Sequence, residues 1–208
     1  SLENQAEQMS ALADLIWGHP SVVIATAEEA AQYIADPEQL KACVLHINLG
    51  EELKRDSLLE ELVSNGYERV DQVEQRGHFA VRGDIIDIFP VNEDKPVRIE
   101  LFGDQVDTIR HFDEVSQRSI DSLDTFNVAP FSMISSDKLA TLLSYGKKAL
   151  LVIDEPLRVQ EALKKYLKED PDHLKTHADW SALTRTMVAK RQIAYTFMQQ
   201  RSMGLPGF

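Results

Sequence analysis

Two adjacent carboxylates, Asp154 and Glu155, follow the apolar run 149–153 and are the clearest candidates for chemistry in this sequence. A carboxylate pair at the end of a buried strand is where a nucleotide-hydrolysing α/β domain holds its magnesium ion and attacking water. Such a domain also needs a glycine-rich loop ending in Gly-Lys-Ser or Gly-Lys-Thr, which cradles the phosphates. The sequence has no such loop, since the Gly-Lys-Lys at 146–148 lacks the hydroxyl residue and precedes a strand. We therefore expect Asp154 and Glu155 to end a strand and begin a helix, with no catalytic residue and no cofactor in this chain.

Two histidines, His173 and His177, stand four residues apart and would share one face of a helix, as metal ligands can. Pro171 and the polar neighbours indicate a loose helix start, and no third ligand is evident. We expect a solvated surface pair and no metal site. The serines lack the Gly-x-Ser-x-Gly pattern of a nucleophile elbow, so acyl-transfer chemistry is not indicated either.

Arginines form a third group of candidate functional residues. The guanidinium group presents a planar fork to carboxylates and is enriched at protein interfaces. If Val70 and Val81 face inward, strand alternation places Arg69 and Arg82 toward solvent. The residues alone leave two interpretations open: a protein-docking surface, or weak surface ion pairs that offset the many carboxylates. The arginines concerned are Arg69, Arg76, Arg82, Arg98, Arg110 and Arg118.

The elements that must position these residues form three segments. Residues 1–50 have a strand–helix–strand order that indicates the first part of an α/β layer. The elements predicted there are a helix over 1–18 ended by Gly18 and Pro20, a strand over 21–25, a helix from the N-cap Thr26 to about 35, and a strand over 42–49.

Residues 51–132 are rich in short strand patterns separated by glycine turns, which predicts an antiparallel β-rich module. Its elements are a helix over 58–64 and strands over 67–73, 78–82, 85–89, 97–102 and 106–110. Residues 133–208 return to the α/β pattern, with helices predicted over 137–145, 157–167 and 180–200 and a strand over 149–153. The β module is thus predicted to be inserted between two parts of an α/β layer.

Charge and composition restrict the possible partners. The 208 residues carry a formal net charge of −12, which disfavours autonomous DNA binding, since that binding depends on neutralising phosphates. No apolar run approaches the roughly 20 residues of a membrane span, and the first residues do not resemble a signal peptide. The single cysteine allows no internal disulfide, which fits a reducing cytoplasm. The missing initiator Met leads us to expect a piece of a longer protein.

The run over 66–90, GYERVDQVEQRGHFAVRGDIIDIFP, resembles the UvrB-homology module shared by UvrB and the bacterial transcription-repair coupling factors. The likeness continues through 98–104, 109–113 and 116–119. UvrB has an arginine where this chain has Ala80, and the segments 117–119 and 154–156 resemble the coupling factors more than UvrB. The sequence is therefore identified as similar to the UvrB-homology region of the coupling factors.

The resemblance implies a fold and a function. The fold is part of a degenerate P-loop-type α/β layer with an inserted antiparallel β-rich module, in which Asp154 and Glu155 are a degenerate acidic nucleotide motif. The function is a non-catalytic module that recruits UvrA in transcription-coupled nucleotide excision repair, with Arg69, Arg82 and Phe89 at the UvrA-facing surface. RNA polymerase and DNA would be bound by other domains of a longer, ATP-dependent DNA translocase. The alternative is a fragment of a UvrB-like DNA-dependent ATPase with residual nucleotide or damaged-DNA binding.

Overall fold

The computed structural model describes residues 2–132 and 138–195. Among these, 2–23, 34–132 and 138–140 form one unit, and 24–33 and 141–195 form the other. The helices are α1 (Leu2–Trp17), α2 (Ala27–Ala31), α3 (Pro37–Ala42), α4 (Arg55–Ser64), α5 (Pro156–Glu169), α6 (His173–Thr176) and α7 (Trp180–Val188). The strands are β1 (Ile34–Ala35), β2 (Leu45–Asn48), β3 (Glu68–Arg69), β4 (His78–Arg82), β5 (Ile85–Ile88), β6 (Val97–Phe102), β7 (Gln105–Phe112), β8 (Ser119–Ser122), β9 (Thr125–Val128), β10 (Leu139–Ala140), β11 (Leu151–Asp154) and β12 (Gln192–Tyr195).

A six-stranded sheet, ordered β3-β4-β5-β6-β7-β8, is the centre of the first unit. The pairs from β4 to β8 are antiparallel, whereas the short edge strand β3 runs parallel to β4. Gly83 and Gly103 begin the two-residue turns of the hairpins β4–β5 and β6–β7, and each has a φ of 62°. Positive φ at this position is the conformation that tight hairpin turns need and that glycine adopts without strain.

The two faces of this sheet differ in chemistry because successive side chains point to opposite sides. One face is apolar and buried, and burial of each large side chain contributes about 1.5–3 kcal/mol. Its members include Phe79, Ile86, Ile88, Val97, Ile99 and Ile109. The other face, called the polar face here, carries the register row Ala80, Asp87, Arg98 and Arg110. The segment between β3 and β4 brings Val70 and Val73 against Ala80, Phe89 and Phe112 in a small buried cluster.

The first unit also contains smaller paired elements. β2 pairs with β9 and β1 with β10, both antiparallel. Leu58 and Leu62 of α4 are buried, as expected for the helix predicted over 58–64. The strand predicted over 21–25 is wrong: the segment forms no strand, and Val22 and Ile24 are exposed. Its β-branched residues favour a strand, but a strand also needs a neighbouring strand to accept its hydrogen bonds, and none of the described residues forms one beside this segment.

Residues 26–48 also differ from the expected boundaries. Thr26 caps α2 through a capping box with Glu29, as the sequence predicts, but the helix ends at Ala31. The strand predicted over 42–49 is shorter, because Asp36 caps a separate helix, α3, that continues to Ala42. The predicted strand over 106–110 is longer, since β7 runs from Gln105 to Phe112.

The second unit packs helices around a two-stranded parallel sheet, β11–β12. Leu163 of α5 and Leu183 of α7 are the centre of its core. The helix predicted over 180–200 is wrong beyond Val188, where the chain turns into β12; residues 196–200 lie outside the described residues. The helix predicted over 137–145 is also wrong: 138–145 contain β10 and a 3₁₀ turn, Leu142–Ser144, while residue 137 lies outside the described part.

The fold class is confirmed as mixed α/β with antiparallel sheets, and its P-loop-type ancestry stays a prediction. No helix in the described ranges has the length and apolar character that a membrane crossing requires.

Candidate docking site

Arg82 is the last residue of β4, and its guanidinium group reaches across the hairpin to Asp87 of β5. Its Nη2 donates a hydrogen bond to Oδ2 of Asp87 at 2.7 Å. The Arg82 side chain is 50% exposed, whereas that of Asp87 is 2% exposed. The buried carboxylate therefore holds one side of the guanidinium group and leaves the rest open to solvent.

Arg98 of β6 is the second cation on the same carboxylate. Its Nε and Nη2 donate to Oδ1 and Oδ2 of Asp87 at 2.7 and 2.9 Å, and its guanidinium group lies 4.4 Å from the centre of the Phe112 ring. The side chain is only 15% exposed. The hydrogen bond with Asp87 raises the pKa of Arg98, against the opposing effect of burial. Arg98 is thus a structural cation, because an ion this deep needs a close counter-charge.

The charges on the polar face leave a cation in excess. Arg82 and Arg98 share the single carboxylate of Asp87, so this cluster keeps one net positive charge. The neighbouring ion pair, in which Nη2 of Arg110 lies 3.0 Å from Oε1 of Glu100, has no net charge. Because Arg82 is the exposed member, the surplus charge is available to an anionic group of a partner.

Arg69 is exposed on the edge strand β3, as strand alternation predicts, but it does not share a face with Arg82. It is in register with Phe79 of β4, and in-register partners point to the same side of a sheet. Phe79 and Arg82 are three residues apart on one strand and therefore point to opposite sides. Val70 accordingly packs on the polar face with the small cluster, while Arg69 projects from the apolar side of the edge.

Phe89 is buried in the small cluster with Val73, Ala80 and Phe112. Its backbone N–H donates to the carbonyl of His78, and its carbonyl accepts from Gly77. A contact between Phe89 and UvrA stays a prediction. In this structure the ring packs inside the small cluster and exposes only 7% of its surface.

Asp154 and Glu155 lie where the sequence predicts, at the end of β11 and the start of α5. Glu155 has a φ of 52°, and Pro156 follows at the first helical position, where a proline loses no hydrogen bond. The expected strand-to-helix junction is confirmed, while its descent from a nucleotide site stays a prediction.

His173 and His177 pack against Tyr166 rather than standing free in solvent. The rings of His173 and Tyr166 are stacked with centroids 3.9 Å apart, and His177 meets Tyr166 edge-on at 4.9 Å. Both histidines are half-buried, so the prediction of a solvated pair is wrong. Within the described residues no cluster of three His, Cys, Asp or Glu side chains could hold a metal ion.

Asp87 is the site residue that the sequence reasoning missed. A lone carboxylate within the apolar run 85–89 was the available signal, because a buried acid needs a cationic partner nearby. Finding which arginines supply it requires the strand register.

Known proteins resemble the segment that contains this site. Residues 45–133 match the family model described as UvrB interaction domain. The transcription-repair-coupling factor of Bacillus subtilis is 38% identical over 130 residues, which are 62% of this chain and 11% of that protein. The one of Escherichia coli is 30% identical over 169 residues, 81% of this chain and 14% of that protein. The UvrABC system protein B of Gloeothece citriformis is 42% identical over 93 residues, 45% of this chain and 14% of that protein.

The matched segment gives the class of protein that this chain resembles: residues 45–133 are similar to the UvrB interaction domain family. The resemblance to the transcription-repair coupling factors that the sequence predicts is confirmed by relatives of that name in several bacteria. The chain spans 11–14% of the length of the three relatives described above.

Proposed function

We propose that this chain is a docking module for UvrA and recruits it in transcription-coupled nucleotide excision repair. One observation carries the proposal: within a UvrB interaction domain, a half-exposed arginine, Arg82, is fixed on a buried carboxylate, Asp87. An arginine held in this way loses less rotamer freedom on binding than a free side chain does, so more of the contact energy appears as affinity.

The partner surface that fits Arg82 carries a carboxylate. Arg–carboxylate contacts are charge-assisted, can be bidentate, and are strongest at the desolvated centre of an interface. Arg69 would take a second acidic contact at the sheet edge. Since the two arginines leave opposite sides of the sheet, a partner touching both must wrap around the β3 edge.

The wider role is part of the same proposal. The chain itself has no catalytic activity and works in the cytoplasm, while other segments of a longer protein bind RNA polymerase and DNA and hydrolyse ATP to translocate. The net charge of −12 supports docking to protein over DNA for this segment.

Isothermal calorimetry of the chain with purified UvrA tests the proposal. We expect saturable binding that weakens with added salt, because a partly exposed arginine contact is screened. Absence of binding at low ionic strength, with the chain shown to be folded by circular dichroism, would refute the docking role.

A further inference from the structure

Phe102 is an aromatic side chain placed at the tip of a hairpin, where it exposes 80% of its surface. It is the last residue of β6, immediately before the turn at Gly103. Single exposed apolar residues are common and need no explanation by themselves. What distinguishes Phe102 is the set of residues beside it.

Phe102 shares the polar face with Arg82. Along β6, buried residues alternate with Arg98, Glu100 and Phe102, so these three point to the polar face. Glu100 is in register with Ile85, which in turn is in register with Arg82. The extra residue of the bulge in this hairpin lies on β7, so the alternation along β6 is kept.

Arg82, Ile85 and Phe102 are therefore contiguous, and we call them the tip patch. Arg82 and Ile85 are direct register partners. Phe102 is the diagonal neighbour of Ile85, a relation that places Cα atoms about 7–8 Å apart and within reach of an aromatic ring. The patch thus joins an arginine, an aliphatic and an aromatic side chain, and arginine and aromatic residues are enriched in the energetic centres of interfaces.

Backbone hydrogen bonds hold the tip patch in place. The N–H of Leu101 donates to the carbonyl of Asp84 at 2.9 Å, which ties the β4–β5 turn to the end of β6. The N–H of Leu53 donates to the carbonyl of Asp104 at 2.6 Å, so the segment before α4 is bonded to the β6–β7 turn. Because these bonds fix the backbone on either side of Phe102, little conformational entropy of the backbone is lost when a partner binds.

The chemistry of the tip patch selects a protein partner over a nucleic acid. Asp84 and Asp104 are exposed in the two turns and would repel phosphates. A protein surface with an apolar pocket beside a carboxylate matches Phe102 and Arg82 together. We infer that the tip patch is part of the UvrA contact, with Phe102 as its apolar anchor; this inference rests on the proposed function.

Calorimetry with UvrA on the parent chain and on Phe102→Ala, Arg82→Ala and Val115→Ala tests the inference. Val115 is the matched control, because it is 85% exposed in the turn before β8 and has no place in the tip patch. We expect Phe102→Ala to weaken binding at least about tenfold and Val115→Ala less than about twofold. The Phe102→Ala loss should persist at high salt, since it removes an apolar contact. Melting curves should be unchanged for both variants.

The outcomes separate the two claims. If Arg82→Ala weakens binding and Phe102→Ala behaves like Val115→Ala, the inference fails while the docking function stands. If the parent chain does not bind UvrA, the proposed function fails and the inference with it. Binding of single-stranded DNA that is lost in Phe102→Ala would assign the ring to base stacking and overturn the protein assignment.

Discussion

Asp87 and Arg98 form a two-point ion pair between directly opposite positions of β5 and β6, with N–O distances of 2.7 and 2.9 Å. Asp87 also accepts a hydrogen bond from Arg82, at 2.7 Å. One buried carboxylate therefore serves two purposes. It satisfies the charge of Arg98 and fixes the direction of Arg82.

Replacement of Arg98 by alanine should destabilise the protein by about 3 kcal/mol, because it leaves the buried Asp87 without its bidentate partner. Urea unfolding followed by circular dichroism measures the change. Arg110→Ala is the matched control: Arg110 also pairs with a carboxylate, but both side chains are partly exposed, so we expect a loss below about 1 kcal/mol. Equal losses of unfolding free energy in the two variants would show that the buried carboxylate of Asp87 does not need Arg98 as its counter-charge.

Arg82→Ala and Arg69→Ala should each weaken UvrA binding about thirtyfold, the loss typical of an interface anchor. Arg82→Lys should restore binding only in part, because lysine lacks the planar fork. Calorimetry measures these affinities, with Arg118→Ala as the control. Arg98 is unsuitable as that control despite lying in the same sheet, since its loss would damage the fold. Weakened binding by Arg118→Ala alone would place the interface elsewhere.

Gly77→Ala should cost about 2–3 kcal/mol of stability. Gly77 has a φ of 90°, and an added Cβ would overlap the ring of Phe131. Gly103→Ala is the control, because its φ is also positive, 62°, but no atom lies within 4 Å of the added Cβ. Backbone strain alone should cost Gly103→Ala about 1 kcal/mol. Thermal unfolding of both variants compares them, and equal costs would contradict the close approach of Phe131.

Tyr67 should make the protein sensitive to alkaline pH. Burial raises the pKa of its hydroxyl, although a hydrogen bond from the N–H of Val91 acts in the opposite direction. Above the ordinary value of about 10, the unfolded chain loses this proton while the folded chain keeps it, so stability falls as pH rises further. Below about 10 the stabilisation is fully present.

The variant Tyr67→Phe separates this effect from the loss of a hydrogen bond. It should be less stable at neutral pH by about 1–3 kcal/mol, because the carbonyl of Ala129 loses the hydroxyl that donates to it at 2.7 Å. Between about pH 9 and 11, however, its unfolding free energy should fall less steeply than that of the parent. Parallel pH profiles from urea unfolding would assign the alkaline sensitivity to other groups.

Phosphate release from ATP should stay at the buffer background, with or without DNA, because the sequence has no phosphate-binding loop beside Asp154 and Glu155. Asp154→Asn should leave that background unchanged. DNA-stimulated turnover that Asp154→Asn abolishes would show that the acidic pair is a working site.

The sequence by itself determined the parts of the fold that depend on neighbours along the chain. The hairpins turning at Gly83 and Gly103 follow from glycines that tolerate positive φ between two alternating runs. The junction at Asp154 and Glu155 follows from an apolar run that stops at a proline-led helix. The strand expected over 21–25 failed, because a strand is completed by hydrogen bonds to residues that are distant in sequence.

The roles of the arginines were decided by the tertiary structure. Arg82 and Arg98 both lie on alternating strands and point to the same face, yet one is half-exposed and the other is almost covered. Arg98 lies directly opposite Asp87 in the middle of the sheet, whereas Arg82 is the last residue of its strand. Parallel pairing of β3 with β4 sends Arg69 to the other side. Such pairings join residues distant along the chain, and the free energy of packing selects them over the alternatives that local patterns allow equally well.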